Sequence, residues 1–162
     1  MLPRLLTIIL LLLVSLPFSS HASPPPTQRS ATVLRVSDGD TILVRVGREE
    51  IKIRLYGIDA PESKQPGGAE ATAFLRDLLL TEAVTITTLD VDRYGREVAL
   101  VELRGQFVQE AMLERGLVWV YTKYCRAEFC GRWKEIEKEA SRARVGIWKD
   151  GSEVEPWVWR KR

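Results

Sequence analysis

Residues Ala31–Tyr56 read ATVLRVSDGDTILVRVGREEIKIRLY, and their alternation decides the fold. Ala31–Ser37 alternates loosely. Thr41–Val46 sets Ile42, Val44 and Val46 on one face. Glu50–Tyr56 sets Ile51, Ile53 and Leu55 on one face and Lys52, Arg54 and Tyr56 on the other, the two-residue period of half-buried strands. Asp38-Gly39 and Gly47-Arg48 are turn signals between them, so the stretch reads as a three-stranded meander. Downstream, Ala71, Phe74, Leu75, Leu78 and Leu79 follow the spacing of one helix face. Two more strands are expected near Val84–Leu89 and Arg96–Leu103, joined through the charged stretch Asp92-Arg93-Tyr94-Gly95-Arg96. A second helix is expected near Phe107–Arg115, stopped by Gly116. A third is expected near Ala127–Arg144, with an apolar stripe of Phe129, Trp133, Ile136, Ala140 and Ala143 and a stop at Gly146. Five short strands cannot bury both faces as a flat sheet. Curling into a closed barrel, with the first helix plugging one end, removes the open edges. The pattern therefore predicts an α+β, mainly β, five-stranded OB-fold barrel with three α-helices.

The chain has 162 residues, 45% hydrophobic and 28% charged, with a formal net charge of +2. These values suit a globular protein and exclude a disordered one. The start of the chain reads as a secretory signal. Arg4 supplies the positive region, and Leu5–Leu16 is an uncharged aliphatic run that as a helix reaches roughly 18 Å, short of a ~30 Å hydrocarbon core. Pro17 ends it, and Ser20-His21-Ala22 offers a cleavage site after Ala22; the other reading is an uncleaved anchor. Removing 22 of the 162 residues leaves 140, enough for one domain over 31–150. It follows a flexible mature N-terminus at 23–30 and precedes an aromatic and basic tail at 151–162. The sole histidine, His21, goes with the signal, which excludes histidine-based triads, nucleases and zinc sites. Export to the periplasm or medium favours a disulfide between Cys125 and Cys130, the only two cysteines, over two reduced thiols.

Carboxylates, arginines, lysines, tyrosines and a hard metal ion are left to carry any chemistry. Asp38 and Asp40 sit in the first turn of the meander; Asp59 and Glu62 sit just past its third strand. An antiparallel return brings the end of the third strand beside the start of the second, so these acids converge. Two such charges ~4 Å apart repel by roughly 4 kcal/mol at an effective dielectric near 20. Such a cluster calls for protons, arginines or a cation, and an all-oxygen, loop-borne set suits Ca²⁺ better than octahedral Mg²⁺. Arg54 and Arg96 complement it with planar forks that match phosphate oxygens. Each acid read alone is an ordinary turn or loop residue, and each arginine a surface ion-pair partner; the joint placement makes the site.

Ser37–Thr41 (SDGDT), Arg54–Glu62 (RLYGIDAPE), Asp92–Arg96 (DRYGR), Glu110–Tyr121 (EAMLERGLVWVY) and Ala143–Trp148 (ARVGIW) together resemble the staphylococcal nuclease, or thermonuclease, family over nearly all of 31–148. The resemblance implies an OB-fold, Ca²⁺-dependent phosphodiesterase acting on DNA and RNA, cleaving the P–O5′ bond and leaving 3′-phosphate ends. By motif position, Asp40 and Asp59 would be carboxylate ligands of Ca²⁺, with the backbone carbonyl of Ala60. Glu62 would be the general base for water, and Arg54 and Arg96 would hold the phosphate. Asp38 and Thr41 would support the site. Tyr94, Tyr121 and Tyr124 are candidates for substrate contact; Tyr124 and Thr122 match the family's two pocket tyrosines. The chain departs from the type member in a shorter Ser63–Gly68 loop, in Ala60 replacing a threonine, and in the cysteine pair.

The competing expectation is a non-catalytic OB-fold protein binding single-stranded nucleic acid through basic grooves and aromatics. Such a binder has no need of all five of Asp40, Asp59, Glu62, Arg54 and Arg96. The expected protein is a monomer with no stable membrane association once the signal is removed. In the tail Pro156-Trp157-Val158-Trp159-Arg160-Lys161-Arg162, a tryptophan is expected to pack back on the barrel, leaving a solvated basic end.

Overall fold

The computed structural model describes residues 27–151 and 153–162; the expected signal segment 1–22 lies outside them. The meander of the sequence forms as β1 (Gln28–Val36), β2 (Thr41–Val46) and β3 (Glu49–Leu55), followed by a two-residue strand β4 (Ile58–Asp59) and helix α1 (Gly68–Leu79). The long strands β5 (Ala83–Val91) and β6 (Glu97–Leu103) come next, then β7 (Gln106–Phe107), α2 (Val108–Glu114), β8 (Trp119–Val120) and α3 (Cys130–Arg142). A 3₁₀ turn at Gly146–Lys149 and a one-turn helix α4 (Pro156–Trp159) end the chain.

The strands pair in the order β3-β2-β1-β5-β6, and a parallel pairing of β3 with β6 closes them into a five-stranded barrel. Closure leaves no long apolar edge to template aggregation. Alternate residues Val33, Ile42, Val44, Ile53, Leu55, Ile86, Ala99 and Val101 fill the interior, and Ala71, Leu75 and Leu79 of α1 cover one end. Each fully buried valine, leucine or isoleucine among them contributes roughly 1.5–3 kcal/mol. Phe74 and Leu78, also on the expected α1 face, pack half-buried against this core.

Three differences from the sequence reading have physical causes. First, Gln28–Ser30 belong to β1 and not to a flexible end, because Gln28–Thr32 pair with Ala83–Thr87 of β5. Arg29 also donates to Thr88 at 2.8 Å and pairs with Glu97. Secondly, α3 begins at Cys130, not Ala127. The disulfide between Cys125 and Cys130 and the bond from the Cys130 amide to the Ala127 carbonyl at 3.0 Å hold the preceding residues in a turn. Phe129 then packs from outside the helix onto Trp133 at 4.8 Å. Thirdly, α3 buries a charge within its apolar stripe: Glu137 accepts from the Val120 amide at 3.0 Å and pairs with Lys134, tying α3 to β8.

Candidate active site

Local backbone geometry assembles the acids. Asp38 Oδ1 accepts from the Asp40 amide at 3.0 Å, tightening the β1–β2 turn. Gly39 permits that turn to press on the barrel cap, since a Cβ there would lie 2.7 Å from Ala60 Cβ and 2.8 Å from Ala71 Cβ. In the β2–β3 hairpin Thr41 stands opposite Arg54, and the Leu55 amide donates to the Asp40 carbonyl at 2.8 Å. The end of β3 thus returns beside Asp40, as the antiparallel path requires. Asp59 is set by a second small sheet, in which β4 pairs with β8 and Asp59 opposes Trp119.

Arg54 is the hub. Its Nη1 lies 2.9 Å from Asp40 Oδ2 and donates to the Ile58 carbonyl at 3.0 Å, and its Nη2 donates to Asp59 Oδ1 at 2.7 Å. Asp59 is only 1% exposed, and a carboxylate so buried demands paired charge. The Ala60 amide donates to Asp40 Oδ2 at 2.7 Å, and Thr41 Oγ1 to Asp40 Oδ1 at 3.1 Å. Ala60 thus meets Asp40 through its amide. Burial pushes the Asp40 carboxyl up to about 7, against the lowering pull of Arg54 and the Ala60 amide. Asp38 and Asp59 add to the rise.

Arg96 reaches the same cluster from β6's start. Its Nη1 stands 3.4 Å from Thr41 Oγ1, and its Nε donates to Asp92 Oδ2 at 2.7 Å. Burial works against the charge on Asp92, yet bonds from the Arg96 side chain and from the Arg96 and Tyr94 amides hold its carboxyl below the usual range. Glu62 stands at the rim, with a side chain 41% exposed. Its backbone is fixed by Gln65, whose Oε1 accepts from the Glu62 amide at 3.1 Å. Gly68 allows the loop to close, because a Cβ there would stand 2.0 Å from the Glu62 carbonyl oxygen.

The aromatic candidates divide. Tyr121 and Tyr124 meet edge to face at 4.8 Å. Tyr94 is exposed on the β5–β6 connection, accepting from Arg93 Nη2 at 2.6 Å, with the Arg96 guanidinium 5.6 Å from its ring.

The largest departure is at the C-terminus. Trp157 packs back as expected, stacking on Tyr121 at 4.8 Å and 8°. The basic end stays in solvent at Lys161 and Arg162, but Arg160 pairs with the acid cluster. Its Nη2 donates to Asp59 Oδ2 at 2.6 Å and its Nη1 to Glu62 Oε1 at 2.6 Å. Burial opposes the charge on Arg160, but these carboxylates raise its proton affinity further above the ordinary range. Nothing in the order of residues reveals that pairing, which joins positions 101 and 98 apart. Gln65 was likewise missed: buried, it bonds the Val154 carbonyl as well as the Glu62 amide.

Among the described residues, no three His, Cys, Asp or Glu side chains stand in an ion-holding arrangement; the acids face guanidinium groups. The donor set nevertheless fits a hard cation. It is all oxygen and anionic, and one of its counter-charges, Arg160, is a side chain 42% exposed at the surface.

Residues 52–150 match the family model described as staphylococcal nuclease homologue. The chain is 40% identical over 138 residues to a micrococcal nuclease of Shigella flexneri, covering 80% of this chain and 79% of the relative. It is 39% identical over 131 residues to an uncharacterized endonuclease of Escherichia coli O157:H7, covering 80% and 84%. A staphylococcal-like nuclease of Arabidopsis thaliana is 41% identical over 113 residues, covering 70% of this chain and 34% of that longer protein. With a closed OB-type barrel carrying the acid and arginine cluster, and with these likenesses, the chain belongs to the staphylococcal nuclease family.

Proposed function

We propose that this nuclease is an exported, monomeric, Ca²⁺-dependent enzyme that hydrolyses DNA and RNA at the P–O5′ bond and leaves 3′-phosphate ends. Its working compartment would be the periplasm or the medium, reached through cleavage after Ala22. The observation that carries the reading is the convergence of Asp40 and Asp59 with Arg54 and Arg96 at one end of the barrel, where Arg160 joins Glu62 to Asp59. Asp40, Asp59 and the Ala60 carbonyl would hold the cation, which when bound supplies positive charge to the phosphate oxygens and lowers the pKa of nearby water.

The side chains perform the remaining work. Arg54 and Arg96 bind the phosphate oxygens and offset the negative charge gathering there during attack. Glu62, the most exposed of the three acids, takes the proton of the attacking water, whose oxygen bonds to phosphorus as the P–O5′ bond breaks. The 5′ oxygen leaves as a hydroxyl, its proton supplied by solvent water, and Glu62 returns its own proton to solvent. Asp38 and Thr41 act by holding Asp40 in place. Tyr121 and Tyr124 would meet a base, and Tyr94 the chain near Arg96.

The test is digestion of plasmid DNA and of an RNA transcript by the purified mature chain, in millimolar Ca²⁺ and in chelator, with the product ends analysed. Digestion in Ca²⁺ alone, leaving 3′-phosphates, is expected. Ca²⁺-dependent binding of single strands without any cleavage would favour the binding-module reading.

A further inference from the structure

The C-terminal segment occupies the positions that catalysis requires. Arg160 lies between Asp59 and Glu62, one proposed as a cation ligand and the other as the base. In the same turn of chain, Trp157 covers the face of Tyr121 with a parallel ring, the geometry in which a nucleobase would stack. One guanidinium thus stands in for a cation and one indole for a base.

The strap has a fixed root and a lightly held tip. Val154 is tied through its carbonyl to Gln65, the residue that also holds the Glu62 amide, and Pro156 is buried. Beyond Pro156, α4 is a single turn, Val158 and the Arg160 side chain are 38% and 42% exposed, and Lys161 and Arg162 are exposed. The tip is held mainly by one aromatic stack, by an ion pair with Glu62 that is open to water and individually weak, and by one with buried Asp59 made by a guanidinium that is itself 42% exposed. Its charge is nevertheless needed there: without Arg160, buried Asp59 shares the single guanidinium of Arg54 with Asp40.

We propose that Glu153–Arg162 is an intramolecular inhibitor of this site, displaced from its Trp157 and Arg160 contacts when a divalent cation and a nucleotide bind. The proposal rests on the cation reading given above. Cation and Arg160 compete for the same carboxylates, so the strap raises the cation concentration needed to load the site. Trp157 couples the two halves: a base that takes its place on Tyr121 also loosens Arg160.

The test is titration calorimetry of Ca²⁺ into the wild-type chain and into Arg160→Ala, Trp157→Ala and Lys161→Ala. Arg160→Ala is expected to bind Ca²⁺ about five- to tenfold more tightly, the scale of losing the ion pairs of one partly exposed guanidinium. Trp157→Ala changes no charge and is expected to tighten binding in the same direction. Lys161→Ala removes a neighbouring charge outside the cluster and is expected to match the wild type. Equal, measurable affinities in all four proteins, weaker binding in Arg160→Ala, or tightening only where a charge is lost would overturn the strap while leaving the cation site standing. No uptake by any of the four would overturn the cation reading, and the strap with it.

Discussion

Arg54 is the residue on which the cluster turns. It spans Asp40 and Asp59 with a planar fork, and Asp59 is only 1% exposed. Arg54→Ala leaves a buried carboxylate short of charge and should cost about 3–5 kcal/mol of stability, measured by denaturant unfolding in chelator. Arg54→Lys keeps the charge but cannot bridge two carboxylates, so it should recover part of the stability and little of the activity. Asp40 gives a pH prediction. Its carboxyl is raised from 3.8 to about 7 in the folded chain, chiefly by burial. Between those values the cation-free native state holds a proton that the unfolded chain releases, so this contribution to stability falls as pH rises from about 4 to about 7. Melting curves in chelator should show that loss in the wild type and not in Asp40→Asn. At this scale the sequence was legible for Asp40, Asp59 and Arg54, because short turns and a hairpin register bring them together; Arg96 arrives through the parallel pairing of β3 with β6, which only its motif foreshadowed. Arg160 was not legible, since its pairing depends on where a distant segment docks.

Elements place the site with little tolerance. The Glu62 loop closes on α1's first residue so tightly that Gly68→Ala would set a Cβ 2.0 Å from the Glu62 carbonyl oxygen. The backbone must shift, and a displacement near 1 Å is enough to cost about 10²-fold in rate. Gly68→Ala should therefore lose activity at that scale while its far-ultraviolet circular dichroism stays that of a folded barrel. The alternation of Thr41–Val46 and Glu50–Tyr56 revealed β2 and β3 because the period of a strand is local. The two-residue strands β4 and β8 carry no readable period, yet their pairing sets Asp59 opposite Trp119. Glu137 escaped notice for a similar reason: in the charged run 134–139 an acid reads as solvated, and only the approach of the Val120 amide and Lys134 explains its burial.

Across the whole molecule, the barrel supplies rigidity and the appended C-terminal parts supply the exceptions. The closing of β3 on β6 followed from counting five short strands that needed both faces covered. The Cys125–Cys130 disulfide joins residues only five apart in sequence, so the chain-entropy model gives it roughly 2 kcal/mol. The double variant Cys125→Ser, Cys130→Ser should unfold at correspondingly lower urea, and its nuclease rate should follow the wild type below the transition. The central claim is that one end of this barrel is a hydrolytic centre in which Glu62 takes the proton from water, and Glu62→Gln tests it most directly. The account predicts a fall in DNA hydrolysis of about 10²-fold or more, with Ca²⁺-dependent binding of a nucleotide bisphosphate retained. A Glu62→Gln protein that digests DNA as fast as the wild type would contradict it.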